Sequence, residues 1–409
     1  MDIDLLIRSA IFSDHEEEKR ASREQIFDLA KTSGIIPSSL HSPYQAFAQG
    51  KISGFTIPAI NVRTLTYDMS CIIFKTVLAN QIGAVIFEIS RSEMGYTHQS
   101  FGDFALCVLA GAIKENYKGP VFLQADHVQI NKTKFESNEN QEVQDVQAFI
   151  QEAVSAGFYN IDIDASTLVD PSLSTIPEQQ KDNARITTLL TDYIRGIQPV
   201  NTIINIGGEI GHIGDKNSTS EDLEAFMSLY NPSSQQGISK ISIQTGSSHG
   251  GIPLPNGSLA DTQIDFSLIK TVGNLARSKY GLGGIVQHGA STLPLQLFDE
   301  FPKSDTLEIH LATGFQNIVF DTIPIALKQE MYAWVKENLQ SERENNWSEE
   351  QFLYKMRKKS LGQFKKQLWD LSALDKQPVL DALSNKLQNI FEKLNASNTK
   401  EVITPYLQN

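Results

Sequence analysis

The chain has 409 residues, of which 40% are apolar and 20% charged, the balance of a folded globular enzyme rather than a disordered or fibrous chain. Its formal net charge of -13 argues against a nucleic-acid partner, because phosphate backbones are bound by basic faces. A small phosphorylated substrate stays open, since it needs only one local pocket of donors.

The chain begins MDIDLLIRSAIFSDHEEEKR, too short in apolar length and too soon acidic for a signal peptide. No run of about 18 apolar residues follows anywhere, so a cytoplasmic protein without membrane spans is expected. Two helices are predicted around Asp4–Ser13 and His15–Thr32, then a connector through Pro37, Ser38 and Ser39. Residues 1–50 thus read as an N-terminal helical extension.

From there short apolar, β-branched runs alternate with amphipathic ones. The strand candidates are Thr56–Val62, Ala84–Ser90, Pro120–Asp126, Asn160–Ser166, Thr202–Gly207, Lys240–Gly246, Gly284–Gly289 and Asn317–Asp321. Most are apolar on both faces, as strands of a covered parallel sheet are. Helical spacing lies between them, at Met69–Asn80, Phe104–Glu115, Val143–Ala156 and Phe266–Ala276. Cys71 and Cys107 fall in two of these stretches and read as buried thiols, too few for a disulfide framework or a cysteine zinc site.

Eight strands alternating with helices over residues 51–325 predict an α/β fold, a (β/α)8 TIM barrel. A doubly wound open sheet would favour a glycine-rich turn after the first strand, where Arg63, Thr64 and Leu65 stand instead. Residues 326–409 read as a charged helical C-terminal extension packing on the barrel or on a partner subunit. Its basic run Arg357, Lys358 and Lys359 reads as a solvated helix face rather than a phosphate patch.

In such a barrel, residues at the C-terminal ends of the strands face the active site. Those ends carry Glu88 and Ser90, Asp126 and His127, Asp164 and Ser166, Glu209 and His212, His249, and His288. One histidine there would be an ordinary polar cap; several around one rim make a catalytic metal shell of imidazoles and a carboxylate, with one position open. Gly250 and Gly289 each follow such a histidine, where backbone N–H groups can approach an anion closely. Asp126 beside His127 reads as catalytic rather than as a helix N-cap. Asp164 and Ser166 serve either the site or the loop backbone, and Glu209 either the metal or solvent. His212 and His310 read as pocket-lining or structural.

A zinc hydrolase would want an HxH pair on the first strand and a carboxylate ending the last, which only Asp321 imitates. A structural zinc module would be cysteine-rich and local in sequence.

Taken in order, FTIPAINV, EISRSEMG, QADH, IDIDAS, GEIGHIGD, GSSHGG and VQHGAST resemble the signature motifs of the class II fructose-bisphosphate and tagatose-bisphosphate aldolases. The resemblance runs from about Ala46 to Thr322. It implies a zinc-dependent carbon–carbon lyase of carbohydrate metabolism such as glycolysis, performing retro-aldol cleavage of a phosphorylated ketose. It implies zinc ligation by His127, His249 and His288, with Glu209 auxiliary, and proton exchange at Asp126. It assigns phosphate or substrate contacts to Ser90, Gly250, Gly289 and Ser291, with Asp321 in the last-strand motif. It further implies a monovalent cation, Na+ or K+, and a homo-oligomer. A catalytically silent barrel kept for assembly or regulation is the rival.

The departures concern substrate. The family's last strand reads Lys-x-Asn-x-Asp-Thr, against NIVFDT here, which puts Val319 where the second polar residue is expected. Pro253 replaces a basic residue and Ala290 the second glycine of the phosphate turn. Asp215, Lys216, Glu221 and Asp222 follow Gly214 in the loop that carries an acid/base in the family. The insert FPKSDTLEIHLATGFQ sets His310 near the barrel mouth. Fructose 1,6-bisphosphate is therefore expected to be a secondary substrate.

Overall fold

A computed structural model describes residues 2–211, 216–246, 253–255, 260 and 263–407. His212, Gly214, Asp215, His249 and Gly250 lie outside the described residues. Helices α1 (Ile3–Phe12) and α2 (Glu16–Thr32), strand β1 (Ile35–Pro37) and helix α3 (His41–Ala48) precede the barrel. The barrel strands are β2 (Ile57–Asn61), β3 (Ile86–Ser90), β4 (Gly119–Gln129), β5 (Asn160–Asp164), β6 (Asn205–Glu209), β7 (Lys240–Ser242), β8 (Ile285–Gln287) and β9 (Glu308–Leu311). All neighbours pair in parallel, and β9 returns to β2 (Ala59 opposite His310), closing an eight-stranded barrel. Strand β1 pairs with the start of β4 outside it.

The crossovers carry α4 (Thr66–Ala79), α5 (Arg91–Thr97), α6 (Phe101–Lys114), α7 (Lys132–Ser137), α8 (Glu139–Ser155), α9 (Ile176–Ile197), α10 (Ser220–Leu229), α11 (Phe266–Tyr280) and the single turn α12 (Glu300–Lys303). Helix α13 (Thr313–Thr322) follows the last strand. The C-terminal region adds α14 (Ile325–Asn338), α15 (Glu349–Met356), a 3-10 turn at Arg357–Ser360, α16 (Lys365–Trp369), α17 (Ala373–Lys393) and α18 (Lys400–Ile403). No described helix is long and apolar enough to cross a membrane.

Seven strands fall where the apolar runs predict them; the eighth does not. Asn317–Asp321 belongs to α13, where Phe315, Val319 and Phe320 are buried at helical spacing. Asp321 is exposed on that helix, its Oδ1 3.8 Å from Lys328, and lines no part of the site described below. The true last strand is Glu308–Ile309–His310–Leu311, inside what reads as an insert. Its charged residues face the barrel interior, so it lacks the apolar signature of its neighbours.

That interior is polar. Lys240, fully buried, lies 2.6 Å from Glu308, 2.9 Å from Asp162 and 2.8 Å from Gln124 Oε1. Tyr44 donates to Glu308 from below, and Gln124 donates to Glu88 at 2.8 Å. Gly207 makes room for the ion pair: a Cβ there would overlap the Asp162 carboxylate and stand 3.0 Å from Lys240 Cε. A buried charge left alone would cost several kcal/mol, so the cluster persists because each member is paired.

Outside the strands the packing is apolar. Helix α6 is buried on nearly all faces between the barrel and α4, α2 and α1, and Phe101 and Phe104 meet Phe158 there. Cys107 sits in this layer, its thiol pushed up to about 12 by burial. Cys71 is half-buried, and burial raises its thiol too.

Candidate active site

The C-terminal ends of β2, β3, β4, β8 and β9 surround a cavity of about 230 Å³. Strand β4 supplies the two residues at its heart through a β-bulge. Ala125 faces Ile161 and Val128 faces Ile163, so Asp126 and His127 together occupy the space of one partner residue. His127 takes a left-handed φ of +42°, which lets both side chains reach the cavity. Asp126 is therefore a mid-strand residue, not a helix cap.

Three imidazoles stand in a row. The ring centroids of His127 and His288 are 4.4 Å apart, and those of His288 and His310 are 4.2 Å apart. Asp126 accepts from Asn61 Nδ2 at 2.8 Å and lies 3.2 Å from His310 Nδ1. Burial alone would raise the Asp126 carboxyl, but His127 and His310 outweigh it and hold the carboxyl well below the usual range. His127 Nδ1 lies 3.3 Å from Asp164 and 3.5 Å from Glu209, and despite the cost of burial these acids and Asp126 raise the imidazole. Asp164 also accepts from the Ser166 backbone and hydroxyl and from Gln129, so it serves loop and site together. Glu209, at the end of β6, is buried rather than solvated.

Nitrogen and oxygen donors are thus close enough to share an ion. The ligand atoms of Asp126, His127 and His288 lie within 4.8 Å of one another, as do those of His127, Asp164 and Glu209. Glu88 Oε1, in the neighbouring group with Glu308 and His310, is buried without a hydrogen-bond partner, and burial pushes that carboxyl well above the usual carboxylate range. Imidazole and carboxylate without thiolate suit a divalent zinc-like ion.

The rest of the cavity suits an anion. Ser291 and Gly289 line it; Gly289 takes φ +74° as it leaves His288. Ser291 Oγ accepts from the Gly314 backbone at 3.0 Å, an approach so close that a Cβ on Gly314 would overlap the Ser291 carbonyl. Ser90 caps α5 through a reciprocal pair with Glu93 while its residue lines the cavity.

Four contributors are not among the residues predicted from motifs. Asn61 ends β2 and bridges Asp126 to Glu93. Arg63 bonds Glu93 at 2.6 Å and Gln316 at 2.9 Å. Thr313 opens α13 at the cavity wall. Lys358, from the C-terminal region, reaches in over the Tyr96 ring at 5.6 Å. Burial, then Arg63 nearby, lowers its ammonium. The Arg357–Lys359 run is thus no plain solvated face: Arg357 is buried between Phe320 and Tyr354, 4.8 and 4.6 Å from their centroids. The strand-end position of Asn61 and Arg63 was the available signal; nothing local marks Lys358.

A barrel whose strand ends gather imidazoles, carboxylates and cations in this way carries donors that could hold a metal ion beside an anion. Residues 42–376 match the family model described as fructose-bisphosphate aldolase class-II, and the chain belongs to that family. A search of the curated proteins gave no match. Similar solved structures include the fructose-bisphosphate aldolase of Campylobacter jejuni, at 17% identity and TM-score 0.52, covering 89% of this chain and 97% of that one. The YdjI aldolase of Escherichia coli K12 gives 16% and 0.51, covering 88% and 98%. The fructuronate-tagaturonate epimerase UxaE of Cohnella laeviribosi gives 12% and 0.60, covering 92% and 86%. At these identities the likeness is one of fold. NIVFDT lies in α13 and the last strand is Glu308–Leu311, which overturns the comparison of the family's last-strand motif with NIVFDT.

Proposed function

We propose that the protein is a zinc-dependent aldolase that cleaves a phosphorylated ketose reversibly between C3 and C4. The observation that supports it most is the β4 bulge, which sets an ionised Asp126 beside His127 and His288 at the mouth of an anion-suited cavity.

His127 and His288 would hold the metal, with Glu209 auxiliary and His249 as the third imidazole that the motif implies. A bound divalent ion supplies Lewis acidity at the ketose C2 carbonyl. Asp126 takes the proton of the C4 hydroxyl as the C3–C4 bond breaks. The bonding pair of C3–C4 passes toward C2 and its oxygen, and C4 leaves as an aldehyde. In the reverse direction Asp126 returns the proton to the new C4 alkoxide. Asn61 and His310 fix the Asp126 carboxylate, which keeps its lone pairs directed and its charge intact. Gly289, Ser291 and Thr313 receive one phosphate, and Ser90, Arg63 and Lys358 take the other polar groups of the chain. With the last strand reading Glu308-Ile309-His310-Leu311, without the lysine and asparagine that the family's last strand carries, fructose 1,6-bisphosphate should rank below another ketose phosphate.

The test is a panel of ketose mono- and bisphosphates, with fructuronate and tagaturonate included, assayed for released aldehyde and for recovered epimer. Wild type should cleave at least one phosphorylated ketose and hold about one zinc per chain. Asp126→Ala should keep the metal and lose about 10²–10⁴-fold in turnover, while His127→Ala and His288→Ala should lose the metal. Metal retention in both histidine variants would remove the ligand assignment. Absence of any cleavage by zinc-loaded wild type would favour the silent barrel.

A further inference from the structure

Helix α17 docks through Val379, Leu383, Leu387 and Ile390, an apolar stripe at the spacing of one helix face. Lys386 stands three residues after Leu383 and four before Ile390, a place in that stripe where the pattern calls for an apolar side chain. It is half-buried there, and burial lowers its ammonium. Lys376 and Lys393 on the same helix pair with Asp68 and Asp299, at 3.2 and 2.8 Å. Lys386 has no carboxylate partner among the described residues; its hydrogen bond goes to the Ser291 carbonyl, 3.3 Å away.

Ser291 lines the Asp126 cavity beside Gly289 and is held from two sides. Its Oγ accepts from the Gly314 backbone at 3.0 Å, and its carbonyl accepts from Lys386. The Ala290 carbonyl is engaged within the same turn, accepting from Leu293 at 3.0 Å. An anion at such a turn needs N–H groups facing it and carbonyl oxygens turned away, because each oxygen carries partial negative charge. A cation on the Ser291 carbonyl secures that orientation and leaves a positive charge one peptide group from the seat. An ammonium placed there loses water without gaining a carboxylate, a cost that a bound anion offsets.

We propose that Lys386 is a positioning residue for the anion seat at Gly289 and Ser291, holding the Ser291 carbonyl away from a bound phosphate and supplying a counter-charge behind it. The inference rests on the reading of that turn as a phosphate seat. Lys386 lies beyond the 42–376 stretch that this chain shares with its family, so the contact belongs to the C-terminal region of this protein. Anion affinity at the barrel mouth thereby depends on the docking of α17.

The experiment titrates zinc-loaded wild type, Lys386→Met, Lys386→Gln and Lys386→Arg with inorganic phosphate in a calorimeter. Met and Gln each keep much of the side chain's length without its charge, so one serves if the other does not fold. Either should weaken phosphate about tenfold, as removal of a charged hydrogen-bonding group does. Lys386→Arg, which keeps the charge, should recover most of that affinity. Unchanged affinity in the neutral variants, or an equal loss in Lys386→Arg, overturns the proposal. On a ketose phosphate that wild type cleaves, KM should rise by the same factor with kcat kept. A fall in kcat at constant KM overturns it as well. If wild type binds phosphate but cleaves no ketose, the aldolase reading fails separately and the titration still decides Lys386. If wild type binds no phosphate, there is no seat and the proposal falls.

Discussion

At His127 a bulky side chain occupies a left-handed backbone conformation that ordinarily costs an L-residue about 1–2 kcal/mol. The bulge stores that strain at the point where two chemically distinct groups must face one cavity. Glycine would adopt the same φ freely. His127→Gly should therefore be more stable than His127→Ala by about 1 kcal/mol in denaturant titration, although both lose the imidazole. Equal stability would mean that the strain is relieved elsewhere.

His41, at the start of α3, shows the opposite relation between residue and surroundings. Burial, then the charge of Arg195, lowers its imidazole to about 4. The folded state resists a proton that the unfolded chain accepts at about 6.5, so its neutral burial is fully tolerated above that pH. Stability is lost as pH falls from about 6.5 toward 4, by about 2 kcal/mol at pH 5 from this group alone. His41→Gln should flatten the wild-type difference between pH 7.5 and pH 5 by that amount, measured by urea unfolding. A parallel pH dependence in both proteins would assign the loss to other groups.

Among elements, β5, β7 and β9 carry the ion pairs of the polar interior, and β6 makes room for them. Gly207→Ala should push its new methyl into Asp162 and Lys240, costing about 1–3 kcal/mol by overpacking while leaving the outer helix layer intact. Thermal unfolding of the variant checks this; an unchanged midpoint would show that the ion cluster can shift. The same interior explains what sequence patterns could and could not reveal. Seven strands were legible because Phe87, Ile89, Ile161, Ile206 and Ile285 are packed under helices and leave an apolar trace. Strand β9 was not, because Glu308 and His310 are as buried as those residues but charged. Its role fell instead to α13, whose Ile318, Val319 and Phe320 read locally as a strand. Asp126, His127, His288 and Ser90 stood out by their places at strand ends, and Ser291 by the resemblance of VQHGAST. Asn61 and Arg63 became part of the site only when the barrel closed, whereas His310, expected near the barrel mouth on an insert, lines the site from strand β9.

Across the whole molecule the C-terminal region reaches both ends of the barrel. At the catalytic end, Gln351 donates to the Pro253 carbonyl at 2.8 Å and Gly362 to that of Tyr96 at 2.9 Å. At the opposite end Gly83, just before β3, donates to Thr399 at 2.9 Å. Arg357 is the pin that sets Lys358 over the cavity, bonding Asn317 at 2.8 Å and Tyr332 at 3.2 Å. Arg357→Ala should cost about 2 kcal/mol through lost cation–π and hydrogen-bond partners. It should also raise KM for the phosphorylated substrate more than it lowers kcat, because Lys358 would no longer be held. A fall in kcat alone would place Lys358 outside substrate binding.

All three tryptophans, Trp334, Trp347 and Trp369, belong to this same C-terminal region. Trp369 stacks on Tyr67 of α4 at 5.8 Å and meets Phe12 of α1 edge-on at 5.2 Å, while Trp347 lies 3.9 Å beneath Lys355. The barrel itself emits no indole light. Excitation near the red edge of protein absorption therefore watches the strap and not the scaffold, and the colour of the emission becomes an optical gauge of whether Lys358 has been delivered to its cavity.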